Sequence, residues 1–314
     1  MLDQSLSDTL TYHHSMLQDE TRTSSFLRAI LGTVKPGDIV LDIGSGTGIL
    51  ALFACLAGAS HVYAIERDPI IDLARQISRD NGFSERISFF QDWSTNVELP
   101  EPADVLVTET IGNAGFDEGI LGWVHDAKQR LLKPKARIIP RSVELITAPV
   151  KNPTDFNLVS DWRKDLYGFD FSSARTIMAK QLVWTRLSEK ALLGKPVTVS
   201  KVCLDQFNNS NVRAEVVLEI TKHGWMHGLV IWFRTELMPG LSLSNKPQNS
   251  VPSWNQGFLP LLRPLEVDPG DCVQAVIEID ANGANWLWQV DSNKQSSIST
   301  QQQLVHSEKL DVNH

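Results

Sequence analysis

Cysteine is scarce in this chain: Cys55, Cys203 and Cys272 are the only three, and they lie far apart in apolar surroundings. That spacing excludes a disulfide framework and a Cys-based metal site, so no metal is expected, and it points to reduced thiols inside a cell. No apolar run approaches the ~18 residues that a membrane span needs. Asp3 and Asp8 stand where a secretory signal would carry basic and then apolar residues. Positive charge is also short, with 29 Lys and Arg against 37 Asp and Glu and a net charge of −8. A general nucleic-acid binder carries a basic face, so neither nucleic acid nor membrane is an expected partner. The expected compartment is the cytoplasm. An acidic surface suits a positively charged partner, although solubility alone explains it equally well.

Core material is ample. Hydrophobic residues make up 42% of 314 positions, enough for two domains or for one with a large extension. In the first half, short apolar runs at 39–43, 62–65, 87–90 and 105–107 alternate with helical patterns at 49–57, 70–81 and 117–132. Near-continuous apolar strands separated by helices predict a parallel sheet covered on both faces. Pro140, Pro149 and Pro153 then mark a boundary. Beyond it, 212–220, 228–237 and 273–279 alternate apolar and polar residues, and Asn282-Gly283 carries a hairpin signal before 286–290. This half reads as an antiparallel sandwich or barrel. Residues 292–314, rich in Ser, Gln and Asn, read as a disordered tail.

Chemistry concentrates at the predicted strand ends. Asp42-Ile43-Gly44-Ser45-Gly46-Thr47-Gly48 closes the first strand and opens a helix, where glycines let backbone N–H groups approach a ligand. Glu66 ends the second strand and can accept both hydroxyls of a ribose. Asp92 and Trp93 end the third, where adenine would lie. A dinucleotide fold also joins glycines to a later acid, but with G-x-G-x-x-G spacing; here G-x-G-x-G follows an acid. That pattern suits S-adenosyl-L-methionine, whose amino-acid tail has an ammonium group for Asp42 and no pyrophosphate. A glycine-rich turn with no ligand is the bland alternative, and three successive strand-end acids argue against it.

After the fourth strand, Glu109 and Glu118 flank a loop containing Gly112 and Gly115. Two converging carboxylates need a cation between them, and a planar guanidinium fits best. Taken alone, Glu118 reads more simply as an acid in the first turn of the following helix.

These residues resemble the protein arginine methyltransferase family from about Tyr12 to Val290. The glycine loop is shared with many methyltransferases. The double-glutamate loop is specific to this family, as are Met16-Leu17-Gln18-Asp19-Glu20-Thr21-Arg22-Thr23, Val97-Glu98-Leu99-Pro100 and Tyr167-Gly168-Phe169-Asp170. The resemblance implies an α/β Rossmann-like methyltransferase sheet followed by an antiparallel β-barrel, with a helical arm near 155–190 for head-to-tail homodimerisation. The implied divisions are an N-terminal helical segment at 1–31, the S-adenosylmethionine-binding domain at 32–140 and the barrel substrate domain at 141–291. Arg22 would pair with the methyl donor's carboxylate, His13 would sit beside it, and Gly44, Gly46 and Glu66 would hold the rest. Glu109 and Glu118 would clamp the acceptor guanidinium, with Met16, Ser253 and Trp254 around it.

The chain also departs from the family pattern. Ser253 stands where a histidine normally meets Asp19. Thr110 and Asn113 replace a Trp and a Tyr, which is expected to open the acceptor pocket. The family glutamate near adenine falls at Thr95, leaving Asp92 as its expected substitute. No aromatic motif precedes Leu10, so a shortened first helix is expected. The expected acceptor is therefore an arginine-containing peptide or protein. The alternatives are free arginine or another small guanidino metabolite, and a non-catalytic arginine-peptide-binding partner.

Overall fold

Two helices, α1 (Gln4–Leu17) and α2 (Glu20–Thr33), precede the first strand of the computed structural model, which describes residues 4–162, 165–208, 211–248, 253–292 and 295–300. Strand β1 (Ile39–Ile43) is buried along its whole length. That double-sided burial explains its continuous apolar run. It is joined by β2 (His61–Ile65), β3 (Ile87–Phe90), β4 (Ala103–Thr108) and β5 (Leu132–Ile139) in a five-stranded parallel sheet of order β3-β2-β1-β4-β5. The crossovers are α3 (Ile49–Leu56), α4 (Ile71–Asp80) and α5 (Ile120–Arg130). Strand order reverses between β1 and β4, so loops leaving their carboxyl ends splay apart and leave a crevice.

The rest is antiparallel. Strand β6 (Ser142–Val150) leads into two short helices, α6 (Pro153–Ser160) and α7 (Ser172–Met178), which lie in the expected arm. Then follow β7 (Val183–Thr185), β8 (Val197–Cys203), β9 (Val212–Glu219), β10 (Gly224–Met238), β11 (Leu241–Ser244) and β12 (Gln256–Val267). Last come β13 (Cys272–Ile279), β14 (Trp286–Ser292) and β15 (Gln295–Thr300). One sheet runs β7-β12-β10-β6-β8 with β11 on β10, and a second runs β15-β14-β13-β9. Their edges meet, β8 against β9 and β12 against β15, which closes a barrel. The long strand β10 bends at a register shift between Met226 and Gly228. Gly228 is required there, because a Cβ would lie 2.2 Å from the carbonyl oxygen of Leu259.

One hydrophobic core runs through both halves and includes Phe26, Ile30, Leu41, Val107, Phe233 and Trp286. A smaller cluster beneath α6 contains Phe156, Val159, Trp232 and Phe258. Three expectations change. Strand β15 lies in what reads as a disordered tail: Val290 pairs with Ile298 and Trp288 with Thr300, because β14 otherwise offers an open edge whose backbone groups need partners. Residues 301–314 lie outside the described residues. The helix expected from 117 starts only at Ile120, after Gly119 in a left-handed conformation. Helix α1 already runs from Gln4, well before Leu10, and is 14 residues long. No helix among the described residues is long and apolar enough to cross a membrane.

Candidate active site

The crevice at the carboxyl ends of β1 and β4 opens into a cavity of about 1010 Å³, bordered by α1, the glycine loop, the double-glutamate loop and the segment at 253–254. At its β1 end, the N–H groups of Gly44 and Ser45 both donate to the Ile65 carbonyl, tying the loop to β2. Gly46 has a φ of +52°, and a Cβ there would approach the His13 ring to 2.9 Å, so glycine lets α1 close over the loop. Glu66 accepts from Gly46 N at 3.0 Å and from Asp68 N at 2.9 Å, which fixes its carboxylate at the cavity wall. His13 also borders the cavity, and burial holds its pKa below the ordinary imidazole range.

Two cofactor-side acids stand differently from their expected places. Asp42 is fully buried beneath the loop and borders no part of the cavity; neither carboxylate oxygen has a well-formed hydrogen bond among the described residues, the nearest donor being the Ala51 backbone. Burial, and then the nearby Glu66 charge, push its pKa up to about 7. Asp92 borders the cavity, but its Oδ1 accepts from Trp93 N at 2.7 Å and Asn96 Nδ2 at 2.8 Å. It therefore braces, through the Asn96 side chain, the turn that carries Thr95, which also borders the cavity. The hydroxyls of Ser45 and Ser94 are buried at the cavity wall without partners among the described residues.

Glu109 follows β4 directly. Its Oε2 is paired with Arg22 Nη2, while Oε1 is buried with no partner among the described residues. Arg22 lies 5.3 Å from the ring centre of Trp254, which packs edge-on against Phe233 at 5.0 Å. The other guanidinium nitrogens of Arg22 donate to no group among the described residues. Its placement begins at Asp19, the cap of α2, whose Oδ1 accepts from Arg22 N at 3.0 Å. Ser253 Oγ donates to the other Asp19 oxygen at 2.5 Å, so serine keeps the contact for which the family uses histidine.

Glu118 comes to the same cavity, in a turn ahead of α5 and not in that helix's first turn. Its side chain is open to the cavity yet surrounded by protein. Burial, and next the charge of Asp117, raise its pKa to about 7; Arg22 and Arg67 oppose the shift. The charge of Glu109 is met by Arg22. Asp117 holds the loop's shape: its carboxylate accepts from Asn113 N at 3.1 Å and Ala114 N at 2.7 Å. Gly112 passes so close that a Cβ would sit 2.4 Å from that carboxylate, at a φ of +69°.

The two altered loop residues are engaged. Thr110 shares a 3.0 Å hydrogen bond with Thr108, whose hydroxyl donates to the Ile43 carbonyl. Asn113 is tied to the barrel: its Oδ1 accepts from Asn255 N at 2.6 Å and its carbonyl from Asn245 Nδ2 at 2.7 Å. Asn113 is thus a fastening as well as a wall. Met16, on α1, borders the cavity as expected.

Several cavity residues escape a reading by motif. Tyr12 lies beside His13, and the Asn282–Ala284 tip of the β13–β14 hairpin reaches in from the barrel. Gly283 has room for no side chain, since a Cβ would fall 1.8 Å from the Phe116 carbonyl oxygen. The hairpin signal at Asn282-Gly283 was readable; its docking on the double-glutamate loop was not. Trp93 is stacked on Trp123 at 5.5 Å with Arg67 over its ring at 4.4 Å, and no local pattern announces that cluster.

Comparison with known proteins agrees with this geometry. The family profile described as the arginine methyltransferase oligomerization subdomain matches residues 144–291, and that of ribosomal protein L11 methyltransferase matches 19–139. Protein arginine N-methyltransferase 6 of Xenopus laevis is 30% identical over 291 residues, spanning 88% of this chain and 85% of the relative. An arginine N(omega)-methyltransferase of Streptomyces achromogenes subsp. streptozoticus is 30% identical over 267 residues, spanning 83% of this chain and 73% of its own. Among solved structures, the Trypanosoma brucei PRMT1 enzyme–prozyme heterotetrameric complex with AdoHcy has the same fold, with a TM-score of 0.84 at 23% identity over 93% of this chain and 98% of that one. With two acidic strand-end loops facing one cavity and relatives matched along most of its length, the chain belongs to the protein arginine N-methyltransferase family.

Proposed function

We propose that this protein transfers a methyl group from S-adenosyl-L-methionine to a guanidino nitrogen of arginine, in a peptide or protein. The observation that carries the proposal is that Glu109 and Glu118 face the same cavity as the glycine loop, and that Glu109 already binds a guanidinium, that of Arg22. The residues present fit the methyl donor. Glu66 has a fixed carboxylate for the ribose, Ser45 and Ser94 have unspent hydroxyls, and Arg22 keeps N–H groups for a carboxylate. His13, Gly44, Gly46, Asp92 and Thr95 complete that end, with Asp42 buried beneath it. Bound there, the cofactor supplies an electrophilic sulfonium methyl.

The chain's own residues do the rest. An arginine guanidinium is a poor nucleophile, with a pKa above ~12. Glu109 and Glu118 orient it so that one nitrogen faces the methyl, while Met16, Ser253 and Trp254 border the acceptor. With the donor bound, that nitrogen would take the methyl as the donor's carbon–sulfur bond gives way, and Glu118 would accept the proton leaving the nitrogen. Alignment of the reacting atoms contributes on the order of ~7–11 kcal/mol in well-oriented reactions. The test is methyl transfer to an arginine peptide by Glu109→Gln and Glu118→Gln. Near-full activity in both, on every guanidino acceptor, would sink the proposal.

A second reading takes free arginine or a small guanidino metabolite as the acceptor. It is favoured by the named activity of the Streptomyces relative and by Thr110 and Asn113 in place of larger aromatics. Mass spectrometry of one reaction containing both free arginine and an arginine peptide separates the two. A purely binding role would show as tight cofactor affinity with no transfer to either.

We further propose a homodimer joined through the arm near 155–190, on the strength of the oligomerization profile and of Tyr167 and Phe169, which are 97% and 69% exposed. We also propose the divisions 1–31, 32–140 and 141–291; the change from parallel to antiparallel strands supports the boundary at 140, whereas α2 crosses the one at 31. A cytoplasmic location suits the free state of all three cysteines.

A further inference from the structure

Glu118 is held from the side by a residue outside the loop. It sits between Asp117 and Gly119, the latter at a φ of +77°, and its carboxylate makes no hydrogen bond among the described residues. Its carbonyl, however, accepts from Trp123 Nε1 at 2.7 Å. The same indole is stacked on Trp93, with ring centres 5.5 Å apart and planes 27° apart. Trp93 in turn carries the Arg67 guanidinium at 4.4 Å.

Each of these residues borders the cavity, and each comes from a different element. Arg67 follows Glu66 beyond β2, Trp93 follows Asp92 beyond β3, and Trp123 belongs to the first turn of α5. A continuous stacked path therefore runs from the cofactor-side strand ends to the backbone of the acceptor-side glutamate. The barrel closes the opposite side of the same turn: a Cβ on Gly119 would lie 2.9 Å from the Asn282 carbonyl oxygen and 3.1 Å from Trp123 Nε1. Only a small displacement of Glu118 is open while the indole N–H stays bonded.

We infer that Trp123 is a positioning residue for Glu118, and that its stack on Trp93 ties the placement of that carboxylate to the cofactor end of the cavity. This rests on the arginine-methylation reading. Trp123→Phe keeps a stacking ring and removes the N–H donor; Trp93→Ala keeps the donor and removes the ring beneath it. In Trp123→Phe, a lost neutral hydrogen bond corresponds to a fall of about fivefold in acceptor kcat/KM. The S-adenosylhomocysteine Kd should stay within about twofold of wild type, the melting temperature should hold, and the midpoint of the acidic pH limb should move. Trp93→Ala should weaken S-adenosylhomocysteine and acceptor binding together.

Unchanged acceptor kcat/KM and pH limb in Trp123→Phe would overturn the inference. So would a loss of turnover that merely follows melting temperature and cofactor affinity. Wild-type turnover, measured in parallel on free arginine and an arginine peptide, separates this failure from that of the underlying reading. If neither acceptor is methylated, the arginine reading fails. Calorimetric titration of arginine into the S-adenosylhomocysteine-loaded protein then still compares wild type with Trp123→Phe, and equal Kd values refute the positioning role.

Discussion

The pH dependence of acceptor capture should be set by Glu118. Burial, then the Asp117 charge, raise its pKa to about 7. For a single group of that pKa, about a tenth is ionised one unit below and about nine tenths one unit above. Only the ionised form can attract a guanidinium and accept its proton. Acceptor kcat/KM at saturating donor, which reports the donor-loaded enzyme before the acceptor binds, should therefore rise about tenfold between roughly pH 6 and pH 8. The assay is radiolabel transfer at saturating methyl donor and low acceptor. Glu118→Gln should lower the rate and flatten this limb. Asp42 also titrates at about 7, but beneath the glycine loop; its ionisation should appear in donor affinity, and saturating donor removes it from the measurement. Asp117→Asn should move the midpoint downward, because a neighbouring negative charge is lost. A midpoint near 4–5, the ordinary carboxylate range, or the same limb in Glu118→Gln, would refute the assignment.

Other perturbations probe the supports of the site. Gly112→Ala forces an L side chain into φ +69° and against Asp117; strain of about 1–3 kcal/mol should lower the melting temperature and reduce turnover. Asn113→Ala removes the side-chain acceptor of Asn255 N–H and keeps the backbone carbonyl that accepts from Asn245 Nδ2, and acceptor KM should rise about fivefold while S-adenosylhomocysteine Kd holds. Asp42→Asn should raise the melting temperature of the cofactor-free protein near pH 8 and much less near pH 5. A carboxylate with a raised folded pKa takes a proton more readily when folded, so its contribution to stability falls as pH rises from the unfolded value to about 7. The same variant should weaken cofactor binding; a melting temperature equally shifted at both pH values would count against a titrating Asp42.

The parallel sheet was legible because its strands are buried on both faces. A run such as 39–43 is apolar except for Asp42, and the polar exception is itself the functional signal. Glu66 and Glu109 were legible for a related reason: a strand end next to a glycine-rich loop leaves a carboxylate few structural duties. Asp92 met the same rule and borders the cavity, while its Oδ1 also braces the following turn, which a short Asp-x-x-x-Asn spacing could have disclosed. What stayed hidden depends on long-range docking. Asn113 meets Asn255 across 142 positions of chain, and Ser253 meets Asp19 across 234. Strand β15 was hidden differently, since its polar composition resembles a tail and only the open edge of β14 supplies its partner.

These hidden contacts share a direction: each attaches a piece of the acceptor site to the barrel. Asn113 hangs on Asn245 and Asn255, Gly283 lies against Phe116, and Ser253 holds the Asp19 that caps the helix bearing Arg22. The cofactor end, by contrast, is tied within the parallel sheet, through Ile65, Glu66 and the glycine loop. The width of the acceptor pocket is therefore a property of how the barrel seats on the sheet, not only of the side chains at Thr110 and Asn113. Enlarging Asn113 to the Tyr of the family pattern would remove the side-chain fastening to Asn255 N–H along with the space it fills, and keep the backbone fastening to Asn245. A change of acceptor preference by that single substitution should come with a loss of turnover. Restoring the rate should require companion changes around Asn255, whose N–H loses its acceptor, with acceptor selectivity read by mass spectrometry of paired free and peptide arginine.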